Sequence, residues 1–259
     1  MMSLKSQDDW NRVWQNRGRA YHEASIRFPE VHEREITLFK EGFELRPGMR
    51  LLEVAAAGGY LLMKIREEFG EAMDYLAIES AEIFSQFLPS YVKLIPESTI
   101  TRFNLSDRSV DLVANLAGLH HTKNSRLYFE EGYRVLRPGG QIGIAEVRKG
   151  SAADAWLNTF VNAHNSEGHK GSFFERGELS EKLREAGFKN IREELKTYTW
   201  DFQNISEMVT FCRLLFGLDR ASPETIQHGL REYLDYEEKA GGGIALNWEL
   251  LHAFGDKND

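Results

Sequence analysis

The sequence predicts a doubly wound α/β fold, in which a mostly parallel sheet carries helices on both faces. Apolar runs of strand length alternate with helical stretches from Met49 to Val147, the pattern left by parallel strands joined by crossover helices. The turn after the first run, Ala55 to Gly59, is made only of small residues, as at a helix N-terminus that lets a ligand approach the backbone. No linker interrupts the 259 residues, so one domain with a cap is expected rather than two domains.

In chain order, residues 5–17 and 29–42 read as helices. In the second, Val31, Ile36, Phe39 and Phe43 share a face. Residues 1–44 are expected to form a helical lid, closed by Arg46-Pro-Gly. A core at 45–150 follows: strand MRLLEVA, helix Gly59–Phe69 stopped by Gly70, strand MDYLAIE, a short helix Ala81–Leu88, strand SVDLVANLA, helix Ser125–Leu136, an Arg137-Pro-Gly-Gly turn and strand QIGIAEV. The half at 151–259 should hold helices at 151–166 and 177–186 and a strand from Phe188 to about Tyr198. Helices at 204–217 and 223–238 and a last strand near Gly243–Phe254 complete it. The segment at about 202–240 then lies beside the sheet, as a cap over a pocket.

The formal charge of −8 and scattered Lys and Arg argue against a nucleic-acid partner. No run of 18 apolar residues suggests a membrane span. The start MMSLKSQDDW has no apolar secretory core, and the lone Cys212 forms no internal disulfide. A reducing, cytoplasmic setting is expected.

Ligands of doubly wound sheets bind at the carboxyl ends of the strands, which directs attention to the 53–60 turn and to Glu79 at the end of the second strand. An acid there accepts hydrogen bonds from both ribose hydroxyls. A nicotinamide-dependent oxidoreductase shares both features but leaves RVLRPGG unexplained.

The segments LLEVAAAGGY, AIES, SVDLVANLAGLHH and EGYRVLRPGGQIGIAEV, in this order, resemble the class I S-adenosylmethionine-dependent methyltransferases. The likeness is to the small-molecule, type 11-like branch, over about residues 45–150. The resemblance implies a Rossmann-like sheet of seven strands with an antiparallel last strand. It implies S-adenosyl-L-methionine as cofactor and methyl transfer to an oxygen or nitrogen of a small molecule. By position, Glu53 matches the acid that steadies the turn and the amino-acid end of the cofactor. Ala55, Ala57 and Gly59 match the three glycines, Glu79 with Ser80 the ribose site, and Asn115, Leu116 and Ala117 the strand end beside the methionine part. Two departures stand out. Two glycines are alanine, and Ala57 adds a methyl where the cofactor backbone approaches. The acid that binds the adenine amino group has no clear counterpart in VKLIPESTITRFNLSD, where Asn104 or Leu105, or else Glu97 or Asp107, take its place. These departures keep open a methyltransferase fold that no longer methylates.

Methyl transfer to an acceptor that must lose a proton benefits from a base. His120 and His121 follow the Ser109–Ala117 strand, where the methyl should point, and His121 is the favoured base. Tyr21, with His22, is a second candidate, closing over the site from the N-terminal lid. Asn162, His164 and His169 do not share a helical face, and no cysteine or carboxylate completes a set, so no metal is expected. Trp200, Phe202, Phe211, Phe216 and Trp248 read as core, some lining an apolar substrate pocket.

Overall fold

A computed structural model describes residues 7–258. Helix α1 runs Gln7–Arg27, longer than expected; the anticipated start at residue 5 lies outside the described residues. Helix α2 (Glu33–Lys40) is shorter than the predicted 29–42, but Val31, Ile36, Phe39 and Phe43 are all buried. The alternating core follows as β1 (Arg50–Val54), α3 (Tyr60–Phe69), β2 (Asp74–Ile78), α4 (Glu82–Ser85), β3 (Val92–Leu94), β4 (Val110–Leu116), α5 (Ser125–Val135) and β5 (Leu136–Glu146). Then come α6 (Ala152–Ala155), a π-helical stretch Trp156–Val161, α7 (Asn162–His164), α8 (Glu178–Glu185), β6 (Lys189–Phe202), α9 (Ile205–Phe216), α10 (Pro223–Tyr233), β7 (Tyr236–Glu238) and β8 (Ile244–Asp256).

The strands form one sheet in the order β3-β2-β1-β4-β5-β8-β6, with β7 paired to β8. Strands β1 to β5 are parallel, whereas β8 runs antiparallel to both β5 and β6. The expected mostly parallel sheet with a reversed last strand is therefore present. Among the described residues it has eight strands rather than seven, because Tyr236–Glu238, predicted as the end of a helix, forms β7. Asp235, at φ 59°, turns the chain out of α10. Three-residue β3 was not foreseen, because Lys93 and Leu94 are exposed and leave no apolar run.

Strand residues alternate between two cores, which is why they are apolar throughout. Leu51 and Leu112 pack with α2, α3, α6 and α9, while Leu52 and Val113 pack with α5 and α8. Glu53 follows Leu51 onto the first face and meets the cluster of carboxylates described below. The Arg137-Pro-Gly-Gly segment is a bulge within β5: Leu136 pairs with Val110 and Gln141 with Leu112. Gly139, at φ 77°, donates its N–H to Lys257 O, and Arg137 Nη1 contacts both Asp111 oxygens at 2.9 and 2.8 Å.

Candidate active site

A cleft opens at the carboxyl ends of β1, β2 and β4. Its walls include Glu53, Ala55, Ala57 and Tyr60 from the first turn, Glu79 from β2, and Leu116, Ala117, His120 and His121 beyond β4. Trp14, Arg17 and Tyr21 of α1, His32 and Glu35, Leu215 and Phe216 of α9, Trp200, Trp248 and His169 close the rest.

The turn takes a left-handed course at two of its alanines. Ala55 at φ 57° and Ala57 at φ 46° are left-handed despite their methyl groups, as is Ala117 at φ 54°. Gly59, at φ 77°, caps α3 and donates to Ala56 O. Tyr60 folds back so that its hydroxyl lies against Gly58, where a Cβ would come within 2.6 Å, and this hydroxyl meets His22 Nδ1 at 2.7 Å.

Glu79 is held by the backbone on both oxygens: Ala57 N–H donates to Oε2 at 2.7 Å and Ala81 N–H to Oε1 at 2.8 Å. Burial pushes its carboxyl up to about 7 even though these donors favour the charged form. Glu53 is 4% exposed, and burial, then the nearby Glu79, push it well above the usual carboxylate range. Its Oε2 has no hydrogen-bond partner. Burial also raises Tyr21, with Tyr60 and the carboxylates of Glu35, Glu53 and Glu79 adding to the effect.

The opposite wall carries three imidazoles. A 3-10 turn, Leu119–His121, follows β4. Glu146, at the end of β5 and fully buried, accepts from the backbone N–H of Leu119 and of His120 and contacts His120 Nδ1 at 2.9 Å. His169 approaches from the loop after α7, its ring centroid 5.7 Å from His120 and 5.9 Å from His121. Burial first, then the neighbouring imidazoles and Arg17, hold His121 and His169 well below the usual histidine range. Arg17 donates to Phe216 O at 3.1 Å, and burial lowers it to about 10. At the far end Glu35 accepts from Tyr198 Oη at 2.5 Å and lies 3.6 Å from His32.

Five of the ten buried polar side-chain atoms without a partner, among the described residues, belong to this lining: Arg17 Nε, His32 Nε2, Glu53 Oε2, His169 Nδ1 and Trp200 Nε1. Buried polar groups are almost always paired, so these five atoms are candidate contacts for a bound molecule.

Of the residues singled out in the sequence, Glu53, Ala55, Ala57, Glu79, Leu116, Ala117, His120, His121 and Tyr21 line the cleft. Gly59, Ser80, Asn104, Leu105 and Asn115 are absent from its lining. Asn115 is fully buried and donates to Val54 O, bracing β1 against β4. Asn104 is exposed and donates to Pro96 O; Leu105 packs on the second core and its carbonyl accepts from Arg134. His164 is not drawn to His169: its ring lies 4.4 Å from that of Phe160, and Asn162 Oδ1 accepts from His169 N–H. Local spacing missed Arg17, Glu35, Tyr60, Glu146 and the approach of His169, since their neighbours are distant in sequence. Glu146 alone carried a local signal, an acid ending an apolar strand.

A family model described as a methyltransferase domain matches residues 26–193. A malonyl-[acyl-carrier protein] O-methyltransferase of Methylococcus capsulatus is 28% identical over 224 residues, covering 82% of this chain and 80% of that protein. In fold, the chain is similar to phosphoethanolamine N-methyltransferase 2 of Haemonchus contortus, solved in complex with S-adenosyl-L-methionine. That match has a TM-score of 0.62 at 15% identity and covers 100% of this chain and 61% of that one. It is also similar to the [4+2]-cyclase SpnF (TM-score 0.54, 20% identity, 87% of this chain and 80% of that one).

Proposed function

The chain belongs to the methyltransferase-domain family, with S-adenosylmethionine as its cofactor, and on that premise we propose that it methylates an oxygen or nitrogen atom of a small-molecule acceptor. The observation that carries this reading is the pairing of two chemistries in one cleft. Buried Glu53 and half-buried Glu79 stand on the first-turn side, and buried His120 with half-buried His121 and His169 on the side beyond β4.

The carboxylate side fits the cofactor. Glu53 Oε2 lacks a donor, which an ammonium group satisfies, and Glu79 is placed to accept from vicinal hydroxyls. Leu116 and Ala117 flank the methionine part. Bound there, S-adenosylmethionine supplies a methyl group already activated by the sulfonium charge. The protein aligns the acceptor and excludes water. The acceptor sits beneath α1 and α9, among Trp14, Leu157, Trp200, Phe216 and Trp248. Its O–H or N–H faces His120 and His121, where it gives up its proton. In this reading the whole chain works as one domain, α1 with Tyr21 acts as the lid, and the α9–α10 insertion is the cap.

Two observations favour a second reading, a fold that binds another ligand or runs another reaction. Both Glu79 oxygens already accept from the turn, and Ala57 keeps its methyl at the cleft. Calorimetric titration with S-adenosylhomocysteine decides between them. The first reading expects saturable binding that Glu79→Ala weakens about 10- to 100-fold, the worth of hydrogen bonds to a charged acceptor. No heat at millimolar ligand would exclude it. Mass spectrometry of cell extract incubated with methyl-labelled cofactor then reveals the acceptor by its added label.

A further inference from the structure

We propose that His120, His121 and His169 hold a divalent transition-metal ion of the zinc class, with Glu146 orienting His120. One ring nitrogen of each histidine lies within 4.8 Å of those of the other two. Tetrahedral zinc, with bonds of about 2.0–2.1 Å to imidazole, sets its ligand nitrogens about 3.3 Å apart, so modest ring rotations complete the site. Three imidazoles without a thiolate suit zinc and its neighbours rather than magnesium or calcium, which take oxygen ligands.

Three further features belong to a built site. The Glu146 carboxylate takes the His120 Nδ1–H, which fixes the tautomer and leaves the Nε2 lone pair for a metal. His169 Nδ1 is buried and has no hydrogen-bond partner. The loop carrying His169 is pinned at two points to the helical stretch before it: His169 N–H donates to Asn162 Oδ1 at 3.1 Å, and Gly171 N–H donates to Asn158 Oδ1 at 2.8 Å. Glu146 is fully buried against His120, so its carboxylate lies beside the cluster.

Three protein ligands leave a coordination position open. The role assigned to it rests on the methyl-transfer reading. The acceptor O–H coordinates there, and the ion lowers its pKa so that the proton passes to water. The oxygen lone pair then forms the bond to the methyl carbon while the carbon–sulfur bond breaks and its electron pair stays on sulfur as the neutral thioether. The imidazoles in that case position the ion and do not themselves take the proton.

The test is cobalt titration of the full chain, purified through a tag without histidines, read by visible absorption and checked by elemental analysis after zinc loading. The expectation is about one equivalent per chain with a tetrahedral cobalt spectrum. Glu146→Gln should weaken binding about 10- to 100-fold, and His169→Ala at least as much. Sub-stoichiometric uptake by the wild type overturns the proposal, and so does unchanged affinity in His169→Ala. Should His169→Ala fail to fold, the wild-type spectrum and Glu146→Gln decide. Titration of the same preparation with S-adenosylhomocysteine reads the cofactor separately. Cofactor binding without metal defeats this proposal alone, and metal binding without cofactor defeats the methyl-transfer reading alone.

Discussion

Three alanines at the cleft, Ala55, Ala57 and Ala117, hold left-handed backbone, which costs an L-residue about 1–2 kcal/mol each. Surrounding contacts impose that shape. Glu79 receives the Ala57 N–H, and Ala57 packs beside Ala81, Ile83 and Phe84. Ala55 is fixed by a close approach, since a Cβ on Gly118 would lie 2.7 Å from the Ala55 Cβ. That contact makes a double-mutant prediction. Gly118→Ala overpacks the turn and should cost about 1–3 kcal/mol by urea unfolding. Ala55→Gly in the same chain removes both the opposing methyl and the left-handed strain, and should recover most of that loss. Additive effects of the two changes would show that the turn yields elsewhere.

At the scale of elements, α1 packs over the cleft against α9 and α4, the latter in part through ring contacts. Trp14 and Tyr21 lie 5.0 and 5.4 Å from Phe84, and His22 stacks on Phe87 at 3.8 Å. Gly18 lets α1 approach α4, because a Cβ there would meet Ile83 at 2.5 Å. Its polar ties to the rest are few, Arg17 to Phe216 O and His22 to Tyr60 among them. An element held this way opens locally before the sheet does. Bound S-adenosylhomocysteine should therefore slow amide hydrogen exchange across residues 13–25 while leaving β4 and β5 unchanged; equal exchange with and without ligand would remove α1 from the role of lid. Elements with their own periodicity, such as β1, β4 and α3, were legible in the sequence. Strand β7 was not, because Tyr236–Glu238 continues the polar pattern of α10 and becomes a strand only by pairing with Ile244–Leu246. The carboxylate half of the site was legible because it sits on consecutive turns of the fold. The imidazole half was only partly so. His120 and His121 stood out, but the approach of His169 depends on the course of the loop after α7, and no local spacing records that.

Over the whole molecule, buried titratable groups set opposing slopes on stability. His252, fully buried with both ring nitrogens unpartnered, is lowered to about 4 by burial; Glu35 and Glu194 oppose the shift and Lys196 adds to it. Its folded value lies below its unfolded one, so the stability of keeping it neutral is present above pH 6.5 and is lost as pH falls toward 4. Glu79 runs the other way. Its folded value of about 7 exceeds the unfolded 4.5, so its contribution is complete below pH 4.5 and is lost as pH rises through 7. Glu53 is shifted in the same direction, and Tyr21 faces both carboxylates from α1. The unliganded protein should thus be most stable between these limits, near pH 5 to 6. On the proposed reading, hydroxyl and ammonium donors from the cofactor would favour the ionised carboxylates and reverse the upper slope. The rise in Tm on adding saturating S-adenosylhomocysteine should then be larger at pH 8 than at pH 5.5, in thermal-denaturation scans at fixed ionic strength. Glu79→Gln, which cannot ionise, should flatten that difference. A ligand-induced rise that is equal at both pH values in the wild type would mean that neither carboxylate changes its environment on binding, and that the cofactor lies elsewhere.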